Sequence, residues 1–140
     1  MPPFEHPRIA AILQRDSRYS GEAYYFIYEA VEYTQQSLLA ASESPAAVRH
    51  ITGRQLCEGV RDYARDQFGL LANTVFRIWG IHQTADIGEI VFHLIDQQFL
   101  SKTESDRRED FWDLFDLPRA LSDDYPMSMA EFSRSRRGER

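Results

Sequence analysis

The chain has 140 residues, a formal net charge of −6, 43% hydrophobic and 27% charged residues, the proportions of one ordinary soluble domain. Size scaling puts about two-thirds of the extended chain's surface inside the fold, enough for a core without staples. The single cysteine, Cys57, excludes an intramolecular disulfide. Together with a start (Met-Pro-Pro-Phe-Glu) that lacks a signal pattern and the absence of a long apolar run, it argues against export or membrane spanning and for a cytoplasmic protein.

From Pro7 to about Gln14, Ile9, Ile12 and Leu13 fall at helical spacing. A turn over Asp16-Ser17-Arg18-Tyr19-Ser20-Gly21 follows, with Ser20 as N-cap and Glu22 where a carboxylate suits the helix dipole. Ala23, Phe26, Ile27, Ala30, Val31, Thr34 and Leu38 then trace one stripe of a long helix, an order that period-two alternation would not produce. Pro45 closes it within a small-residue linker, 41–51. Thr52-Gly53-Arg54-Gln55 fits a capping box, and the helix it opens carries Leu56, Val60, Tyr63, Ala64 and Phe68 up to Gly69. Gly59 inside that helix points to a close crossing with another helix. A shorter helix is expected to turn Leu71, Val75, Ile78 and Trp79 inward and to end at Gly80. A third, starting near Thr84 or Asp86, buries Ile87, Ile90, Val91, Leu94 and Ile95. Residues 99–116 read equally as a β-hairpin, pairing Phe99–Thr103 with Phe111–Phe115, or as a helix from Arg107 to Phe115. Pro118 is read as ending regular structure, and the Arg-rich residues 133–140 as a disordered tail.

The fold class expected is therefore mostly α. A helical hairpin (7–40) packs on a three-helix, helix-turn-helix-like unit that starts at residue 52, winged-helix-like if the β-hairpin forms. The domain spans 1–116, with 117–132 as an extension.

Asp16-Ser17-Arg18-Tyr19 leading into Glu22-Ala23-Tyr24-Tyr25-Phe26, His50-Ile51-Thr52-Gly53-Arg54-Gln55-Leu56, Trp79-Gly80-Ile81 running to Phe92, and Leu100-Ser101-Lys102-Thr103-Glu104 with Glu109-Asp110-Phe111 together form a recognisable combination. Over about residues 7 to 116 the chain resembles a family of short bacterial conserved hypothetical proteins. The resemblance implies no activity, cofactor or partner.

Four metal-capable side chains, Asp86, Glu89, His93 and Asp96, can share one side of a helix, with Glu89 and His93 at i, i+4. The same side is the polar face left once the apolar stripe is buried, and a bundle metal site needs ligands from facing helices, for which no second Glu-x-x-His exists. Cys57, with His50 seven residues upstream, reads as a small core hydrophobe rather than a nucleophile. Gly-x-Ser-x-Gly, P-loop, Gly-x-Gly-x-x-Gly, His-Glu-x-x-His and Cys-x-x-Cys patterns are absent, so neither catalytic residues nor a cofactor is assigned.

Arg18 and Tyr19 beside a helix start, and Tyr24 and Tyr28 one turn apart, suit a protein interface or packing within the chain. Sequence-specific DNA binding is disfavoured, because the third helix offers Asp86, Glu89, His93, Asp96 and Gln97 and no Lys or Arg lies between Arg77 and Lys102. Residues 133–140 carry +3, which leaves −9 on the rest of the chain. Arg134, Arg136, Arg137 and Arg140 in that tail offer weak contact with RNA, and the alternative function is a nucleic-acid- or ribosome-associated factor that uses this tail. The leading expectation is a non-enzymatic protein-interaction module that binds a protein partner or itself, with no membrane contact. A small metal-dependent enzyme built on Asp86, Glu89, His93 and Asp96 ranks third.

Overall fold

The computed structural model describes residues 6–41, 51–101 and 107–122, and these residues are mostly helical, with no strand among them. The linker at 42–50 and the Arg-rich tail lie outside the described residues. So do Arg134, Arg136, Arg137 and Arg140.

Helix α1 (Pro7–Arg15) starts on a proline, which needs no hydrogen-bonded N–H there, and buries Ile9 and Ile12. Helix α2 (Gly21–Ala41) buries the stripe its spacing dictates, from Ala23 to Thr34, and Tyr24 joins it. Helix α3 (Gly53–Phe68) opens with the reciprocal capping box: the Gln55 N–H donates to Thr52 Oγ1 at 3.0 Å and the Thr52 N–H to Gln55 Oε1 at 2.9 Å. A 3-10 turn (Gly69–Leu71) leads into α4 (Ala72–Trp79), and α5 (Thr84–Asp96) follows. α2 packs most extensively on α3 and α5, so the longest helix is the spine of the core.

Two glycines set how closely these helices meet. At Gly59 a Cβ would lie 1.9 Å from Thr34 Oγ1, so α3 can cross α2 at this distance only without a side chain. Gly80 ends α4 in the left-handed region at φ 91°, and a Cβ there would meet the Arg18 carbonyl at 2.2 Å. Beside it the Ser20 N–H donates to the Trp79 carbonyl at 3.2 Å, which ties the α1–α2 turn to the end of α4.

Phe26 is the centre of the aromatic core. Its ring centroid lies 5.0 Å from Tyr63, 5.3 Å from Phe68, 5.6 Å from Phe76 and 5.4 Å from Trp79. Four rings from α3 and α4 therefore converge on one side chain of α2, with separations in the favourable range for aromatic pairs.

Three expectations are corrected. First, α4 turns Ala72 and Phe76 inward with Trp79 half-buried, while Leu71 and Ile78 face solvent. The aromatic cluster around Phe26 claims Phe76 and Trp79, and that choice rotates the Leu71–Val75–Ile78 stripe outward. Second, residues 107–116 form neither a strand nor one helix: Arg108–Phe111 is a single 3-10 turn, after which Asp113 takes φ 54°. Phe111 is buried there against α5, and a Cβ on Gly88 would come within 2.6 Å of it. Third, the core does not stop at residue 116. Asp116 caps a last short helix, α6 (Leu117–Ala120), with Pro118 in its first turn, and Leu117 and Leu121 are buried. Pro118 starts a helical turn where the sequence suggested an end.

Candidate functional site

Two places stand out: a seam of polar side chains where the α1–α2 turn crosses α5, and the outer face of α4.

The seam gathers residues from separate elements around α5. Tyr19, buried, donates its hydroxyl to Asp86 Oδ1 at 2.6 Å, while Asp86 Oδ2 accepts the N–H groups of His82 and Gln83 at 2.9 and 3.1 Å. Asp86 thus caps α5 and anchors the α1–α2 turn at once. Burial and the neighbouring Asp86 carboxylate push the Tyr19 phenol well above its ordinary range, so it stays a donor. Arg18 grips Asp16 with Nε at 3.0 Å and Nη2 at 2.7 Å, and its own backbone N–H adds a third bond at 3.0 Å. These contacts hold the Asp16 carboxyl down at about 2. Glu89 lies between two guanidiniums, Arg108 at 2.9 Å and Arg18 at 3.5 Å.

His93 is the pivot of the seam. Its Nδ1 lies 2.8 Å from the hydroxyl of Tyr24, which is fully buried, and its Nε2 lies 3.7 Å from Asp16 Oδ2. The direction of this bond follows the imidazole tautomer; with Nδ1 accepting, the buried hydroxyl's proton is satisfied and the imidazole carries its own proton on Nε2. Burial lowers the His93 pKa and outweighs the raising effects of Asp16 and Glu89, while Arg18 and Arg108 add to the lowering. Arg15 and Asp96 line the same cavity as His93.

A stability trend follows. Since His93 is held below the ordinary histidine value of 6.5 in the folded chain, the unfolded chain takes up a proton first as pH falls. Its contribution is present above about 6.5 and is lost progressively below that value. Urea unfolding midpoints are expected to fall between about pH 7.5 and 5.5. The fall should shrink in His93→Gln, whose amide oxygen can still accept from Tyr24; an identical pH trend in that variant contradicts the role given to His93.

The sequence singled out Asp86, Glu89, His93 and Asp96 together, but the structure gives them separate duties. Asp86 caps, Glu89 pairs with arginines, His93 is fixed by Tyr24, and Asp96 is exposed. Among the described residues no group of three or more His, Cys, Asp or Glu side chains is placed to hold a metal ion. Tyr19 and Tyr24 are interior residues rather than an exposed flank, Tyr28 packs half-buried with its ring centroid 6.4 Å from Phe99, and Arg18 is taken up by Asp16. Of the two roles the sequence allows these residues, packing within the chain accounts for Tyr19, Tyr24 and Tyr28, because the α1–α2 turn and the start of α2 fold against α5. Cys57 is fully buried and its thiol is pushed far up by burial, which leaves it a core hydrophobe.

The outer face of α4 is the feature that sequence reasoning missed. Leu70 is 75% exposed, Leu71 65% and Ile78 75%, with Val75 half-buried between the last two. At 3.6 residues per turn, positions 71, 75 and 78 form one stripe, and 72, 76 and 79 form another about 100° round the helix. The helix is apolar on both sides.

No family model, curated protein or solved structure matches the chain. No helix among the described residues is long and apolar enough to cross a membrane.

Proposed function

We propose that this chain is a non-enzymatic protein-interaction module that docks through the outer face of α4, and that the partner on that face is a second copy of itself. The observation that carries the reading is the exposure of Ile78 on α4 and of Leu71 in the turn before it on one helical stripe, with Leu70 exposed in the same turn. Large aliphatic side chains grouped in this way on a folded surface mark a docking site. The spacing favours self-association. Leu71 and Ile78 stand four and three residues from Val75, so the stripe is nearly symmetric about its middle. Two copies related by a two-fold axis and crossing antiparallel would set Leu71 of one against Ile78 of the other, with Val75 at the axis. The single charge within α4, Arg77, lies on a different side of the helix from the stripe and need not be desolvated.

The helical hairpin of α1 and α2 set on the α3–α5 unit would act as a rigid scaffold for this face. A groove-reading role for α5 is disfavoured, because its Asp86, Glu89 and His93 are engaged by Tyr19, Tyr24, Arg18 and Arg108. A contact of this size belongs with weak, transient interfaces. Ile78→Glu, at a side chain already in water, should leave the monomer's stability within about 0.5 kcal/mol of wild type. It should weaken self-association at least about tenfold, because it places carboxylates in an apolar contact. Sedimentation equilibrium reads both species, and an equal molar mass for the two proteins at every concentration overturns the reading.

A further inference from the structure

A cavity of about 180 Å³ opens beside the polar seam, lined by Ile12, Arg15, Asp16, His93, Asp96 and Arg108. That is room for several water molecules or for a small metabolite. Four of its polar side chains have hydrogen-bonding capacity left. Among the described residues neither Arg15 nor Asp96 has a hydrogen-bond or ion-pair partner. His93 Nε2, the nitrogen left over once Tyr24 has taken the other, lies 3.7 Å from Asp16 Oδ2, beyond hydrogen-bond distance, and keeps its N–H for a ligand. Arg108 is held on the rim through Nε to Glu89 at 2.9 Å, with its guanidinium carbon 5.0 Å from the centre of the Phe92 ring. That posture leaves its terminal amino groups free to reach a ligand. Asp16, by contrast, is committed to Arg18 through both carboxylate oxygens.

The open groups are thus two guanidiniums and one N–H donor, which suit a carboxylate, and one unpaired carboxylate, which suits an ammonium. Both signs face one small, half-open space. A simple anion would leave Asp96 repelling it, and a simple amine would leave Arg15 and Arg108 doing the same. We propose that this cavity binds a small zwitterion of the α-amino-acid class, its carboxylate held by Arg15, Arg108 and His93 Nε2–H and its ammonium by Asp96. Ile12 at the apolar wall would then face the amino acid's side chain and favour a short aliphatic one.

This site is separate from the α4 face, so its failure would leave the docking proposal intact. The test is a titration of the full ¹⁵N-labelled chain with L-alanine, followed by amide resonances. Sodium acetate and ethylammonium chloride serve as the two halves of the ligand. Saturable shifts at Asp16 and His93 are expected with L-alanine, and each half-ligand should bind at least about tenfold more weakly. Arg15→Gln and Asp96→Asn should each weaken L-alanine by about tenfold or more, the loss of one charge-assisted contact. Both side chains are exposed, so neither change threatens the fold. No saturation by about 50 mM L-alanine, a range that would still detect millimolar affinity, overturns the proposal. Acetate binding as tightly as L-alanine with Asp96→Asn unchanged overturns it as well, since the cavity would then be an anion site only.

Discussion

Phe26→Ala should lower the free energy of unfolding by about 3–5 kcal/mol, the range for removing a large aromatic from a packed core. Phe26 is buried and touches Tyr63 and Phe68 of α3 and Phe76 and Trp79 of α4, with ring centroids 5.0 to 5.6 Å away. Its loss would open a cavity at the junction of three helices, where rigid neighbouring rings limit collapse. For a chain of this size the melting temperature should drop by about 10–15 °C. A drop of less than about 4 °C, equivalent to some 1 kcal/mol, would mean that the aromatic junction is not the core's centre.

Gly59→Ala should destabilise by about 1–3 kcal/mol, opposite in sign to the gain of about 1 kcal/mol that the same change brings inside an exposed helix. The added methyl would sit 1.9 Å from Thr34 Oγ1 and 2.8 Å from Thr34 Cβ. Thr34 cannot swing away without cost, because it is buried and its hydroxyl donates to the Ala30 carbonyl at 2.7 Å. Adding Thr34→Ala removes Oγ1 and Cγ2 from the crowded space. The double variant should therefore be more stable than the two single losses summed, by about 1 kcal/mol or more. Strict additivity, or a more stable Gly59→Ala single variant, would show that α2 and α3 do not cross this closely.

What the sequence made legible had a local cause. The α2 stripe is repeated over a long helix, so its phase is overdetermined. The Thr52–Gln55 box is complete within four residues, and Gly59 stands out because a glycine inside a helix needs a reason. α4 was misread because it is only eight residues long and carries two apolar stripes. Periodicity alone cannot say which one faces inward; the choice is made by Phe26, nearly fifty residues away. The C-terminal region was misread for a related reason. Phe111, Leu117 and Leu121 reach the core from a 3-10 turn and a four-residue helix and its end, elements too short to leave a period to detect.

The seam around His93 was half legible. The spacing of Asp86, Glu89 and His93 correctly placed them along one helix, and it could not show what would cover them. The covering comes from the α1–α2 turn and from Arg108, through Tyr19, Tyr24, Arg18 and Asp16. Tyr24 carried a signal that was available, since it lies beside Ala23 and Ile27 at the edge of the α2 stripe. A tyrosine at that edge can bury its ring and offer its hydroxyl to a neighbouring helix. The overall charge takes on a different meaning too: several of the carboxylates that make the body acidic are spent internally on arginines and helix caps.

The proposal that α4 is the docking face is tested most directly by sedimentation equilibrium on the wild-type chain beside Ile78→Glu and Leu39→Glu. Leu39 is also exposed, at 43%, but sits near the end of α2, outside the stripe. Over loadings from about 10 to 300 µM, suited to a micromolar equilibrium, the wild type and Leu39→Glu should shift together from monomer toward dimer while Ile78→Glu stays monomeric. A wild type that remains monomeric throughout, or one whose self-association survives Ile78→Glu, would contradict the account.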